Sequence, residues 1–118
     1  MLTRANITLG QLAGRGSQNS YAVALGYQAG QTFQGTSSIA IGNRCGQDNQ
    51  GQYSVAIGSY AGQYTQSNNA VSIGFYSGRY NQGTSSVAIG VEAGNTGQGA
   101  NSVAIGGRSG YTGQGGNS

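Results

Sequence analysis

Large and small side chains alternate in a five-residue phrase that returns at intervals of sixteen residues. The phrase reads SVAIG from Ser54, Ser86 and Ser102, and AVSIG from Ala70. The order branched, small, branched has a period of two, which is typical of a strand with large side chains on one face and small ones on the other. Each repeat therefore predicts one short β-strand.

Glycine and glutamine keep the same register along the whole chain. Rows of sixteen residues, without insertion or deletion, end at Gly10, Gly26, Gly42, Gly58, Gly74, Gly90 and Gly106. Four residues later stands a second glycine column: Gly14, Gly30, Gly46, Gly62, Gly78, Gly94 and Gly110. Four residues further stands a glutamine column: Gln18, Gln34, Gln50, Gln66, Gln82, Gln98 and Gln114. Because such glycines mark turns or close backbone approaches, each row predicts a strand, a tight turn, a short polar strand and another turn.

This periodicity predicts an all-β protein, a parallel β-solenoid (β-roll) of seven 16-residue coils that forms a single repeat domain over residues 1–118. A row of this length is too short for a helix-containing repeat, so each strand is expected to pair in parallel with its copy one coil later. The glutamine column is expected to stack as a structural ladder of amides. The branched residues predicted to form the core are Val55, Ile57, Val71, Ile73, Val87, Ile89, Val103 and Ile105.

The composition alone would indicate a low-complexity chain, with 24 Gly and no Pro, Trp or His. The repeat reverses that interpretation, because stacked identical units build a continuous core from few apolar positions. Five Arg against one Asp and one Glu give a net charge of +3, which is too sparse to neutralise a phosphate backbone, so no nucleic-acid partner is expected. No apolar stretch approaches membrane-spanning length, so this segment is not expected to insert into a membrane, and any export signal or anchor is expected outside it.

The sequence offers few groups that could carry chemistry. With no His, one Cys, one Asp and one Glu, it has neither an acid–base pair nor a metal-ligand cluster, and we expect no catalytic, cofactor-binding or metal-binding site. Cys45 occupies a column that otherwise contains only Ala and Ser, which predicts a small buried filler. The Arg residues fall at turn positions, and we expect them to be isolated solvated charges.

Aromatic residues form the candidate adhesive surface. Tyr60 and Tyr76 share one column, Tyr64 and Tyr80 share another, and Phe75 precedes Tyr76, so all five are expected to cluster on neighbouring coils. Tyr combines a large apolar ring with a polar tip, and such a cluster could stack on sugar rings or on another protein. The alternative is that the stacked rings only reinforce the ladder or pack in a subunit interface.

The phrases SVAIGSYAG, SIAIGNRCG and SVAIGVEAG resemble the head repeats of YadA-like trimeric autotransporter adhesins, also called Hep/Hag repeats. Similar repeats occur in viral and phage fibre-type proteins. The resemblance implies a left-handed β-roll that assembles as a homotrimer outside a cell or on a virion. It also implies adhesion. We expect the partner to be a cell-surface glycan or a matrix protein.

The sequence therefore predicts a structural, adhesive module of an extracellular or virion surface fibre. The alternative is a self-polymerising extracellular filament subunit that has no specific receptor, in which the chain pairs with itself end to end. An ice-binding solenoid is disfavoured because it would need a flat, regular Thr array. The threonines are instead scattered, at Thr32, Thr65, Thr96 and Thr112.

Overall fold

The computed structural model describes residues 5–118, so residues 1–4 of the predicted domain lie outside the described part. Within that part, every regular element is a β-strand and no helix occurs. The strands are β1 (Ile7–Leu9), β2 (Ser17–Gln18), β3 (Val23–Leu25), β4 (Phe33–Gln34), β5 (Ile39–Ile41), β6 (Asp48–Gln50), β7 (Val55–Ile57), β8 (Tyr64–Gln66), β9 (Val71–Ile73), β10 (Tyr80–Gln82), β11 (Val87–Ile89) and β12 (Val103–Ile105).

Parallel pairing at a constant offset arranges the strands in two sheets. Across residues 5–118, a seven-stranded sheet has the order β1-β3-β5-β7-β9-β11-β12, and a five-stranded sheet has the order β2-β4-β6-β8-β10. Val55 pairs with Val71 and Ile57 with Ile73, and isolated bridges from Tyr80 to Thr96 and from Thr96 to Thr112 extend the second sheet. The chain is thus a parallel β-solenoid with a coil of sixteen residues, as predicted. It forms a rod of 45 × 21 × 16 Å.

Small side chains fill the inside of the coil. The middle residue of each strand in the seven-stranded sheet, from β3 onward, is fully buried: Ala24, Ala40, Ala56, Ser72, Ala88 and Ala104. The prediction that Val55, Ile57, Val71, Ile73, Val87, Ile89, Val103 and Ile105 form this core is wrong, because their side chains lie on the outer face of the sheet. In the last described strand Val103 is 52% and Ile105 63% exposed.

The narrowness of the coil explains this reversal. One glutamine side chain spans the distance between the two sheets: the Nε2 of Gln34, for example, donates to the main-chain oxygen of Val23 at 2.6 Å. Because the two sheets lie so close together, the space between them accommodates Ala, Ser and the flat Gln amide. A branched side chain would overpack this space. The larger members of the alternating pattern must therefore point outward.

The glutamine column is buried from Gln34 to Gln98 and partly exposed at its two ends, and it mainly cross-links the two walls of each coil. The same bond to the residue eleven positions earlier occurs at Gln50, Gln66, Gln82, Gln98 and Gln114, with N–O distances of 2.6 to 2.9 Å. Within the column, the side-chain Nε2 of Gln18 donates a hydrogen bond to the Oε1 of Gln34 at 3.0 Å, and that of Gln82 donates to the Oε1 of Gln98 at 3.4 Å.

The two glycine columns are required by close packing. Gly42 has a φ of +131°, and a Cβ placed there would lie 2.8 Å from the main-chain carbon and oxygen of Gly58 in the next coil. Gly46 has a φ of +51°, and its missing Cβ leaves the space that the Gln50 amide occupies. The glycines thus set the stacking of coils and make room for the glutamine cross-links.

Candidate functional surfaces

The outer face of the seven-stranded sheet carries two parallel ladders of large apolar side chains, which we call the aliphatic stripe. Its members are Ile7, Leu9, Val23, Leu25, Ile39, Ile41, Val55, Ile57, Val71, Ile73, Val87, Ile89, Val103 and Ile105. Those from Val23 to Ile89 are partly exposed, since copies on both sides cover part of each side chain, and the residues of the outermost strands are more exposed. The stripe runs along the rod from β1 to β12.

The structure brings the five predicted aromatic residues together. Tyr64 and Tyr80 stack with ring centroids 5.2 Å apart and ring planes 13° apart. Tyr76 lies 5.0 Å from Tyr60 and 4.0 Å from Phe75, measured between ring centroids. The column spacing thus correctly predicted this clustering on neighbouring coils, and adhesion by the cluster stays a prediction.

Arg79 joins the two aromatic groups. Its guanidinium carbon lies 4.4 Å from the ring centroid of Tyr76, 4.7 Å from that of Tyr80 and 5.5 Å from that of Tyr60. Cations over tyrosine rings are attracted by the negative ring faces. Its Nε also donates to the Oε1 of Gln63 at 2.9 Å, which fixes the guanidinium among the rings.

A chain of aligned amides leads away from Arg79. Gln63 donates from Nε2 to the Oε1 of Gln47 at 2.8 Å, and Gln47 donates in the same way to Gln31 at 3.1 Å. This amide ladder lies in a different column from the one that the sequence analysis singled out. The signal was present, because Gln31, Gln47 and Gln63 are spaced by sixteen residues, but this column lacks the invariance of the Gln18 column.

Arg44 extends the aromatic cluster along the rod. Its guanidinium carbon lies 5.8 Å from the ring centroid of Tyr27 and 5.9 Å from that of Tyr60, and its Nε donates to the Oε1 of Gln28 at 2.8 Å. The residues Tyr27, Arg44, Tyr60, Tyr64, Phe75, Tyr76, Arg79 and Tyr80 are called the Tyr–Arg face below. The expectation of isolated solvated charges is wrong for Arg44 and Arg79. Each guanidinium is held by attraction to tyrosine ring faces and by a hydrogen bond to a glutamine side chain.

Carboxylates do not neutralise this face. Among the described residues, the ion pair joins Arg108 to Glu92, with 3.3 Å between Nε and Oε1. Arg108 is therefore not isolated, but its side chain is 75% exposed and is solvated as expected. The other carboxylate, Asp48, accepts a hydrogen bond from the Thr32 hydroxyl at 2.5 Å. Arg44 and Arg79 thus have no carboxylate partner within residues 5–118.

Cys45 lies in the core, where its thiol donates to the main-chain oxygen of Ala56 at 2.6 Å. Burial raises the pKa of the Cys45 thiol from 9.0 to about 12, although hydrogen bonds with the main chain of Ile41 and Gly58 act in the opposite direction. The thiolate is the reactive form of cysteine, so the protonated Cys45 thiol is unreactive at neutral pH. Its position agrees with the predicted role of a small filler.

The described residues contain no cluster of His, Cys, Asp and Glu that could hold a metal ion. Over the same range, no helix has the length and apolar character needed to cross a membrane. The chain matches no family model, no curated protein and no solved structure. The outer surface of the rod has two distinctive features, the aliphatic stripe and the Tyr–Arg face.

Proposed function

We propose that this chain is the structural and adhesive module of an extracellular or virion surface fibre, in which three copies associate through the aliphatic stripe and the Tyr–Arg face meets the target. The observation that carries the proposal is the stripe itself. It places two large aliphatic side chains of each coil on an outer face, where they remain partly exposed to water in a single rod.

The inside of the coil supplies little hydrophobic stabilisation. Its apolar side chains are Ala and one Cys, which bury far less apolar area than Val or Ile would. Large contiguous apolar patches on a surface indicate an interface. Burying the stripe against copies of the same rod would add the missing apolar burial, and a second copy is the natural partner because an identical ladder offers matching spacing at every coil.

The fibre setting and the number of copies rest on the resemblance of the SVAIG phrases to trimeric adhesin heads. A stiff rod with a repeat in every coil suits a mechanical role, since main-chain bonds link each coil to the next along its length. The rival function, an end-to-end filament without a receptor, makes a different prediction about particle size.

The test is the mass in solution, measured by light scattering coupled to size-exclusion chromatography. We expect three chains for the wild type and one chain for the double variant Ile57→Asp/Ile73→Asp, with the β-sheet circular dichroism retained. The matched control is Asn69→Asp/Ser85→Asp, which adds the same two charges with the same spacing at exposed positions off the stripe. This control should remain a trimer.

A wild-type chain that is monomeric at micromolar concentration would overturn the assembly, and a broad distribution of very large particles would favour the filament. If the double Asp variant unfolds, Ile57→Thr/Ile73→Thr replaces it, since Thr keeps the β-branched shape. A Thr variant that stays trimeric with unchanged dissociation would exclude the stripe as the interface.

A further inference from the structure

The Tyr–Arg face holds two guanidinium groups without carboxylate partners, together with an aromatic surface. We infer that this face binds an acidic polysaccharide in which carboxylate-bearing uronate sugars alternate with neutral sugars. The inference rests on the proposed adhesive function and specifies its ligand.

Arg79 is prepared to bind an anion. Its Nε is engaged by Gln63, and the rings of Tyr76 and Tyr80 flank the guanidinium, so little side-chain freedom remains to be lost on binding. The Nη groups still have N–H donors to offer, and Arg presents its donors in a planar fork that matches both oxygens of a carboxylate. The surrounding rings exclude water from part of the group, which strengthens its attraction for a negative charge.

Arg44 and Arg79 lie on opposite sides of Tyr60 along the chain of coils. Arg44 belongs to the row that ends at Gly58, Tyr60 to the row that ends at Gly74 and Arg79 to the row that ends at Gly90. Both guanidinium carbons lie within 5.9 Å of the Tyr60 ring centroid. The order along the rod is therefore cation, ring, cation. A polysaccharide with alternating charged and neutral sugars would place anion, neutral ring and anion in the same order.

The exposed rings of the face offer contacts that suit a sugar. The described residues enclose no pocket, so a ligand would lie along the open surface of the rod. Phe75 is 44% exposed and offers an apolar ring against which the C–H groups of a sugar can pack. The partly exposed phenols of Tyr60, Tyr76 and Tyr80 add hydroxyl groups that can exchange hydrogen bonds with sugar hydroxyls.

The charge of the face favours carboxylates over a densely sulfated chain. Two cations on a protein of net charge +3 give a weak general field, and dense anionic polymers depend on many cations at once. Recognition here would instead come from individual Arg–carboxylate pairs.

The test is binding of hyaluronan oligosaccharides to the assembled protein by isothermal titration calorimetry, with dextran as the neutral probe, heparin as the sulfated probe and polyglutamate as the acidic peptide probe. The variants are Arg79→Gln, Arg79→Lys and Arg44→Gln. The matched control is Arg108→Gln, which removes the same charge from a residue outside the Tyr–Arg face. Circular dichroism and mass are measured on every sample.

We expect hyaluronan to bind and dextran not to bind. Loss of a charged hydrogen-bonding pair should weaken binding about tenfold or more in Arg79→Gln and Arg44→Gln, whereas Arg108→Gln should stay within about twofold. Arg79→Lys should also bind more weakly, because it keeps the charge and loses the planar fork.

Four results would overturn the inference. They are no hyaluronan binding by wild-type protein, an equal loss in Arg108→Gln, tighter Arg79-dependent binding of heparin, and tighter Arg79-dependent binding of polyglutamate. The mass in solution distinguishes failure of this inference from failure of the proposed function. A trimer that does not bind hyaluronan refutes only the proposed ligand. A chain that neither assembles nor binds any probe refutes both the ligand and the proposed function. If Arg79→Gln disturbs folding, the wild-type comparison among the four probes still decides the ligand class.

Discussion

The side-chain amide of Gln66 donates a hydrogen bond to the main-chain oxygen of Val55, 2.8 Å away on the opposite wall of the same coil. The amide is buried and also bonds the main-chain oxygen of Ala70 at 3.2 Å. A polar side chain that spans the interior thus takes the place that aliphatic packing has in most domains. The bond fixes the separation of the two sheets as well as their register.

Replacing Gln66 by Glu tests this cross-link with a side chain of nearly the same shape. The donating NH₂ becomes a carboxylate oxygen that faces the oxygen of Val55, and we expect the free energy of unfolding to fall by about 3 kcal/mol or more at pH 7. Burial raises the pKa of this carboxyl group, so it takes up a proton and can donate again at a higher pH than in the unfolded chain. The loss should therefore shrink as the pH falls and vanish at about pH 4, where the unfolded Glu is protonated as well. Urea denaturation measures both values.

Gln52→Glu, at an exposed position, is the control and should change stability by less than about 0.5 kcal/mol. Equal losses in the two variants would contradict the cross-link.

Gly42 and Gly106 occupy the same column but differ in what lies above them. A Cβ on Gly42 would come within 2.8 Å of Gly58 main-chain atoms, whereas nothing lies within 4 Å of the corresponding point on Gly106. Both have positive φ, so Ala at either site is strained, and only Gly42→Ala adds a clash with the backbone. We expect Gly42→Ala to be the less stable variant by about 1–3 kcal/mol in thermal or urea unfolding. Indistinguishable variants would show that stacking does not depend on this contact.

The sequence was sufficient to predict the period, the parallel register and the aromatic clustering, because each depends on the sixteen-residue spacing alone. The pairing of Val55 with Val71 and the stack of Tyr64 on Tyr80 follow directly from that spacing. The direction of the side chains could not be derived from alternation. A period of two separates Val55 and Ile57 from Ala56 and leaves open which face is inside, and the choice depends on the wall separation, a property of the whole coil.

Ala56 is fully buried inside the coil. Ala56→Val adds two methyl groups between walls that one Gln side chain spans, and we expect a destabilisation of about 1–3 kcal/mol or more from overpacking. Ala100→Val, at an exposed site, is the control and should remain near the wild-type value. Thermal melts followed by circular dichroism compare the two. A stable Ala56→Val protein would mean that the interior has room for branched side chains, as a core of Val and Ile would require.

Cys45 links stability to alkaline pH. The folded thiol keeps its proton up to about pH 12, whereas the unfolded thiol loses it near 9.0, so the folded state binds the extra proton within this window. Stability from this group is therefore fully present below pH 9 and falls between pH 9 and 12, by about 1.4 kcal/mol per pH unit at most. Urea denaturation at successive pH values measures the slope. Cys45→Ala, which places in this column the residue found at Ala29 and Ala61, should lose that slope while matching the wild type at pH 7 to within about 1 kcal/mol.

Parallel pH profiles for the two proteins would mean that the thiol ionises in the folded rod. Labelling with a thiol reagent at pH 8 would then be fast without denaturant, and Cys45 could not be the buried filler that its contact with Ala56 indicates.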